Sequence, residues 1–207
     1  FSRDAASRAY RIDRILRGEN WQDKTRSPLT ELGVDVKEGD FILAVNGKPV
    51  RDLPNLHAAL IGTVGKQVTL RVNAQANDTS ARDIVVTPIA DESPLYYYNW
   101  VQKNIAYVAE KTGGKVGYIH IPDMGTNGLN EFVKYFYPQI TKRALIVDDR
   151  GNGGGNVSGQ IAERLKRELI GINLYRDSTP FTNPDQTFVG PMVCRLNEFS
   201  ASDGDIF

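Results

Sequence analysis

A chain of 207 residues is long enough for one large domain or for two modest ones, each burying its own core. Apolar residues make up 41% and charged residues 24%, and 25 basic side chains offset 25 acidic ones, an ordinary globular composition. That balance excludes the electrostatic footprint of nucleic-acid or anionic-membrane binding, and no apolar run reaches the roughly 18 residues that span a bilayer. The single cysteine, Cys194, excludes an internal disulfide and a Cys-based zinc cluster. Its apolar, strand-like surroundings predict a buried structural thiol. His57 and His120 lie far apart and suggest no ligand pair, so neither metal nor cofactor is expected. A cytoplasmic, reducing compartment is the expectation. The chain reads as cut at both ends, since Phe1 opens it without a cap and Phe207 closes it as a helix begins.

From Tyr10 to about Ile89 short strands alternate with turns. Tyr-Arg-Ile-Asp-Arg-Ile-Leu (10–16) alternates apolar and polar residues as a half-buried strand does. Phe41 to Val45 predicts a buried strand, and Asn46-Gly47 after it supplies the positive φ angles of a type I′ turn. Asp52 is placed to cap a short helix with Leu53, Leu56, Ala59 and Leu60 on one face. Val68, Leu70 and Val72 alternate along a further strand, and Ile84 and Val86 along the last. Asn73 to Ala81 between them is a polar loop.

One run in this half is more specific than its periodicity. Ser27-Pro-Leu-Thr-Glu-Leu-Gly-Val and then Lys37-Glu-Gly-Asp-Phe-Ile-Leu-Ala-Val-Asn-Gly-Lys-Pro-Val resemble the PDZ domains of bacterial-type proteases. The resemblance implies a small, mostly-β PDZ-like domain over residues 1–90. Such a domain binds an extended peptide as an added strand at a sheet edge, or serves as a docking module that binds no free peptide. Both readings stay open.

Pro94 marks a change of rhythm. A helix follows it with Tyr97, Val101, Ile105 and Val108 on one stripe, ending at Gly113-Gly114. Val116 to Ile121 predicts a strand. Asn127 to Tyr137 predicts a second helix, with Leu129, Phe132, Val133 and Phe136 on one face and Pro138 at its end. Ala144 to Val147 is unbroken and apolar, as a buried parallel strand is. A third helix starts near Asn156, with Val157, Ile161, Leu165 and Leu169 spaced by four, and Met192 to Leu196 is the next strand. Alternating strands and helices predict an α/β layer with crossover connections over residues 91–207.

Two loops leave the carboxyl ends of these strands, where open α/β sheets place ligands. Asp149-Arg-Gly-Asn-Gly-Gly-Gly precedes a helix, and its glycines let the backbone approach a substrate closely. It lacks the Gly-Lys-Ser/Thr of a phosphate loop and the Gly-x-Gly-x-x-Gly of a dinucleotide site, and a plain flexible turn reads equally well. Asn197-Glu-Phe-Ser-Ala-Ser-Asp-Gly-Asp has the strand–turn–helix look of a nucleophile elbow without the usual Gly-x-Ser-x-Gly spacing. The bland alternative makes Ser200 or Ser202 a helix N-cap.

The two loops together with Gly117-Tyr-Ile-His-Ile-Pro-Asp-Met-Gly and Gly128-Leu-Asn-Glu-Phe closely resemble the catalytic core of the tricorn family of serine peptidases. The order and spacing agree from about residue 95 to 207, with the PDZ-like part upstream as in that family. The resemblance implies a truncated α/β catalytic domain of ClpP/crotonase type, with Ser202 as nucleophile. It assigns the Gly155 and Asp203 amides to the oxyanion hole, and Asn173 to a specificity position that is acidic in tricorn. It implies peptide or unfolded-protein substrates and a large homo-oligomer. Sequence adjacency does not aim the Asp203 carboxylate at the serine oxygen, so no base role follows for it. The family's base histidine and a supporting glutamate fall outside residues 1–207. His57 reads as a groove or surface residue and His120 as a structural one. Two other readings remain: a PDZ-type peptide-binding module beside an inert catalytic-like domain, and an acyl-CoA enzyme of crotonase type. The Ser202-Asp203 turn and the attached PDZ-like part disfavour the second.

Overall fold

A computed structural model describes all residues, Phe1 to Phe207. It divides into two compact units, Phe1–Trp100 and Val101–Phe207, with the seam inside a helix.

The first unit is an antiparallel sheet with strand order β1 (Ser2–Arg3), β2 (Tyr10–Arg11), β3 (Phe41–Val45), β5 (Val68–Asn73), β6 (Arg82–Val86), and with β4 (Lys48–Pro49) folded back on β3. Strict alternation puts Val68, Leu70 and Val72 inside and leaves Arg71 in solvent, where it pairs with Asp83 of β6. Asn46 and Gly47 have φ of 48° and 75°, so the β3–β4 hairpin turns as the residue types require. The Gly-Asp motif has a structural task. Buried Asp40 accepts from the Lys37 amide and from Arg82, which ties the turn before β3 to the last strand.

Two expectations in this unit need correction. The strand predicted over 10–16 is only Tyr10–Arg11, because the Ile12 backbone exchanges hydrogen bonds with Gly39 and Asp40 of the turn instead of continuing a ladder. Its side chain is nonetheless fully buried, which is what the alternation reported. The helix predicted after Asp52 is two 3₁₀ turns, Val50–Asp52 and His57–Ala59. Pro54 separates them, forcing Leu53 to an extended φ, ψ of −94°, 149°. Asn55, not Asp52, accepts from the next turn's amide at Ala58. His57 is exposed.

The helix α1 (Ser93–Thr112) runs from the first unit into the second and ends at Gly113 and Gly114, both at positive φ. Beyond it, β7 (Val116–His120), β8 (Ala144–Asp148) and β11 (Met192–Arg195) form a parallel sheet in the order β11-β8-β7. Helix α2 (Thr126–Phe136) crosses from β7 to β8 and lays Phe132 and Phe136 into a core shared with Ile119, Leu145, Val147 and Phe188. Helix α3 (Ser158–Leu165) adds Ile161 and Leu165.

This helix is shorter than its four-residue spacing predicts. It stops at Leu165, and Leu169 is exposed. The chain then makes a two-stranded hairpin that periodicity did not reveal, β9 (Gly171–Asn173) against β10 (Phe181–Asn183). The Cys194 expectation also fails. β11 is an edge strand paired only with β8, all four of its residues are exposed, and Cys194 is a free, exposed thiol.

Candidate active site

The carboxyl ends of the three parallel strands carry the site. After β7, Asp123 folds its carboxylate onto the start of α2, accepting from the Gly125 and Gly128 amides at 2.8 and 2.9 Å. A side chain at Gly128 would lie 1.6 Å from the Asp123 carbonyl oxygen, so only glycine fits. Met124 then pairs with the glycine loop: its amide donates to the Gly154 carbonyl, and its carbonyl accepts from Asn156 and Val157. A β-carbon on Gly155 would come within 2.0 Å of that Met124 carbonyl oxygen. The third glycine thus lets two backbones touch, and the bridge directs its own N–H elsewhere. Neither the Gly155 nor the Asp203 N–H donates to any other group of the chain.

After β8, two neighbouring aspartates meet different fates. Asp148 is fully buried, yet it accepts from the Tyr118 hydroxyl at 2.7 Å and from two nitrogens of Arg150. Burial alone would raise its pKa, but these hydrogen bonds outweigh burial and hold it below the usual carboxylate range. The same burial and pairing push the Tyr118 hydroxyl upward. Asp149 is equally buried, but only its Oδ1 has a partner, the Asn152 side-chain amide at 2.7 Å; Oδ2 has none. Desolvation pushes Asp149 up to about 7, the Asn152 hydrogen bond opposes this, and the Asp148 charge adds to it. His120 is buried against the Arg150 carbonyl, and burial lowers its pKa, in keeping with a structural role.

After β11, the chain turns at Asn197 to Ser202 into the short helix α4 (Asp203–Ile206). The two serines of this turn differ sharply. Ser200 Oγ donates to the Asp149 carbonyl at 2.8 Å and accepts from the Asn197 amide, so its hydroxyl is spent on the loop. Ser202 precedes α4 but makes no capping bond with its side chain, and its hydroxyl engages no group of the chain. It is exposed, at φ 56° and ψ −128°, a strained conformation for a residue with a β-carbon. The glycine loop abuts it: a β-carbon on Gly154 would meet Ser202 Cβ at 2.7 Å and the Asp203 nitrogen at 3.0 Å. The Asp203 carboxylate points away from the serine and accepts from the hydroxyl and amide of Ser158 at the start of α3.

The structure therefore brings Gly154, Gly155, Ser202 and Asp203 together. Asn173 sits apart from them in sequence and sheet, in the β9–β10 hairpin. Sequence reasoning missed Asn152. This fully buried residue donates to the Ile121 carbonyl and to Asp149, accepts from the Gly154 amide, and receives the Ala201 amide on its own carbonyl. The available signal was a lone amide side chain among glycines, in a loop that flexibility alone would not require to hold one.

A PDZ-type sheet followed by a parallel α/β unit with a serine turn set against a glycine loop is also what the comparisons with known proteins return. Residues 1–91 match the tricorn protease PDZ domain, and residues 115–207 match peptidase family S41. Tricorn protease homolog 1 of Streptomyces coelicolor is 42% identical over 96% of the chain, and tricorn protease of Thermoplasma volcanium is 37% identical over 96%. A crystal structure of the tricorn protease superposes with a TM-score of 0.86 at 34% identity, covering 96% of this chain and 19% of that one. The chain thus carries a segment similar to the tricorn PDZ domain followed by a segment similar to peptidase family S41. It spans 18% and 19% of the length of the two curated relatives.

Proposed function

We propose that this chain supplies the nucleophile and the oxyanion hole of a serine endopeptidase, and that its α/β unit is of ClpP/crotonase type. The observation that carries the reading is Ser202: an exposed serine with an unused hydroxyl, held at φ 56°, directly before an amide that donates to nothing in the chain. Ser202 Oγ attacks the peptide carbonyl carbon, and the carbonyl oxygen takes the negative charge. The Gly155 and Asp203 N–H groups receive it, each worth about 10²–10³ in rate. The serine proton passes to a base and on to the leaving amine, and water then releases the acyl group from Ser202. No group within residues 1–207 is offered as that base. His120 is committed to Arg150, and Asp203 to Ser158. By the resemblance, the base is expected to be a histidine outside residues 1–207. Peptides or unfolded proteins are the substrates, and the enzyme acts as a homo-oligomer.

Labelling full-length protein with a fluorophosphonate and mapping the adduct by mass spectrometry tests the reading. The adduct is expected on Ser202, and an adduct on Ser200 overturns the assignment. The 207-residue chain alone is expected to show no turnover of peptides at neutral pH, and rapid stoichiometric labelling of it would contradict the claim that its base lies elsewhere. Asn173 bears on specificity. A neutral amide lacks the Coulomb attraction that a partly desolvated lysine or arginine side chain needs. The enzyme is therefore expected to cleave after neutral or apolar residues at least as well as after basic ones. A substrate-library profile dominated by arginine and lysine would defeat this and point to exposed Asp177 instead.

A further inference from the structure

The two arms of the site come from different loops, one after β8 and one after β11, and a single buried residue, Asn152, ties them together. Asn152 holds the glycine arm through Oδ1, which accepts from the Gly154 amide at 2.9 Å. It holds the serine arm through its backbone carbonyl, which accepts from the Ala201 amide at 2.9 Å. Gly204, two residues beyond Ser202, packs so closely that a β-carbon there would meet both the carbonyl oxygen and Oδ1 of Asn152 at 2.7 Å. Its Nδ2 is anchored on the floor by the Ile121 carbonyl and by Asp149. Every polar atom of the Asn152 side chain is thus used, and none faces substrate.

We propose that Asn152, locked in place by Asp149, is a positioning residue that sets the Gly155 and Asp203 amides against Ser202 and so determines oxyanion stabilisation without touching substrate. The inference rests on the serine-peptidase reading. The mechanism is geometric. Oxyanion donors act only if they already stand at the place where charge develops, and a displacement of the glycine arm by a fraction of an ångström forfeits most of their effect. Asp149 contributes most as a neutral acid. Its Oδ2 is buried without a partner, so a second full charge beside Asp148 would have nothing to receive it and would oppose the nearby oxyanion. The other charged or titratable groups around it do not relieve that charge. The Arg150 guanidinium is taken by Asp148, His120 bonds the Arg150 carbonyl, and β11 offers only the Cys194 thiol and the Arg195 carbonyl, the latter accepting from the Asp149 amide.

The test uses full-length protein with a peptide substrate, and a fluorophosphonate to count competent Ser202. Asn152→Ala is expected to lower kcat about 100-fold while KM changes less than about threefold, because the oxyanion hole acts in the transition state alone. Equal losses in kcat and KM, or a kcat loss under about threefold in a folded variant, would overturn the inference. Should that variant fail to fold, Asp149→Asn carries the test through pH. The ratio of its kcat to that of the unaltered enzyme is expected to rise about tenfold between pH 6 and pH 8.5, as the natural carboxyl gains charge. A flat ratio overturns the inference equally. If the unaltered enzyme itself leaves Ser202 unlabelled, it is the peptidase reading that has failed.

Discussion

The turn glycines of the PDZ-type unit and the glycines around the serine turn of the peptidase unit are used in opposite ways. In the PDZ-type unit, Gly33, Gly47, Gly62 and Gly65 all sit at positive φ with open space where a side chain would go. They are needed for the direction of the chain and for nothing around them. In the peptidase unit, Gly128, Gly155 and Gly204 are needed because another backbone occupies the place of the side chain, at 1.6, 2.0 and 2.7 Å. Two buried acids show a like contrast, although Asp148 of the second unit is paired with Arg150 as Asp40 is with Arg82. Asp40 of the first unit is paired with Arg82, whereas Asp149 of the second is left with an unpartnered oxygen. Positive-φ side-chain residues occur in both units, but only the second combines one, Ser202, with an unpartnered buried carboxylate oxygen under the same turn.

The largest test of that contrast is Ser202→Ala. Acylation is expected to fall by about 10⁶ in the full-length enzyme, as for other serine nucleophiles, with binding of a peptide substrate retained. Burst kinetics with a chromogenic ester would check it, and a persisting burst would remove Ser202 from the chemistry. Next comes a matched pair of glycines. Gly155→Ala must move Met124 or the loop, and is expected to cost about 10²–10³ in kcat through the displaced amide. Gly47→Ala meets nothing and is expected to cost only the left-handed strain, about 1–2 kcal/mol of stability, with kcat unaltered. Comparable kcat losses in the two would erase the distinction between the units.

The same contrast explains what was legible beforehand. Strands with strict alternation, such as Val68-Thr-Leu-Arg-Val, announce both their element and their inward face. So does the Asn46-Gly47 turn, because its geometry depends on the residues that make it. The break at Leu53 was also open to reading from Pro54, yet the helical spacing of Leu53, Leu56, Ala59 and Leu60 outweighed it. The β9–β10 hairpin and the exposure of Cys194 were beyond reach, since a three-residue strand has almost no periodicity and edge position is decided by what packs elsewhere. At the site, the glycine and serine loops were visible as residue types. The Tyr118 bond to Asp148 and the reach of Asn152 to Ile121 and Ala201 join residues far apart in the chain, which no spacing encodes.

Asp149 also makes the peptidase unit respond to pH where the PDZ-type unit has no such group. Its folded pKa of about 7 stands above the ordinary 3.8, so the folded state holds a proton that the unfolded chain has released. That contribution is fully present below about pH 4 and is lost as the pH rises toward 7. His120, lowered by burial, works in the opposite sense across part of this window, and Asp148, held low, matters only in more acidic solution. The informative quantity is therefore the difference between Asp149→Asn and the natural chain, both of which keep His120 and Asp148. The natural chain's thermal midpoint relative to the variant's is expected to fall between pH 5 and pH 7.5. A constant difference would show that Asp149 is ionised throughout.

The smallest expected effect, and the one that most sharply separates two chemically identical groups, is Ser200→Ala. Ser200 and Ser202 share one turn, but their hydroxyls face different partners. Ser200 Oγ is bound to the Asp149 carbonyl and the Asn197 amide, whereas Ser202 Oγ is bound to nothing in the chain. Removing the Ser200 hydroxyl loses the 2.8 Å bond to the Asp149 carbonyl and the long 3.3 Å bond from the Asn197 amide, a net cost of about 1 kcal/mol. The Asn197 side chain still accepts from the Gly151 and Phe199 amides, so the turn keeps its outer ties. Fluorophosphonate labelling of Ser202 in Ser200→Ala should proceed within about tenfold of the natural rate, since about 1 kcal/mol of loop stability corresponds to less than a decade. A loss approaching that of Ser202→Ala would mean that the Ser200 hydroxyl leaves the loop during reaction and takes part in the chemistry.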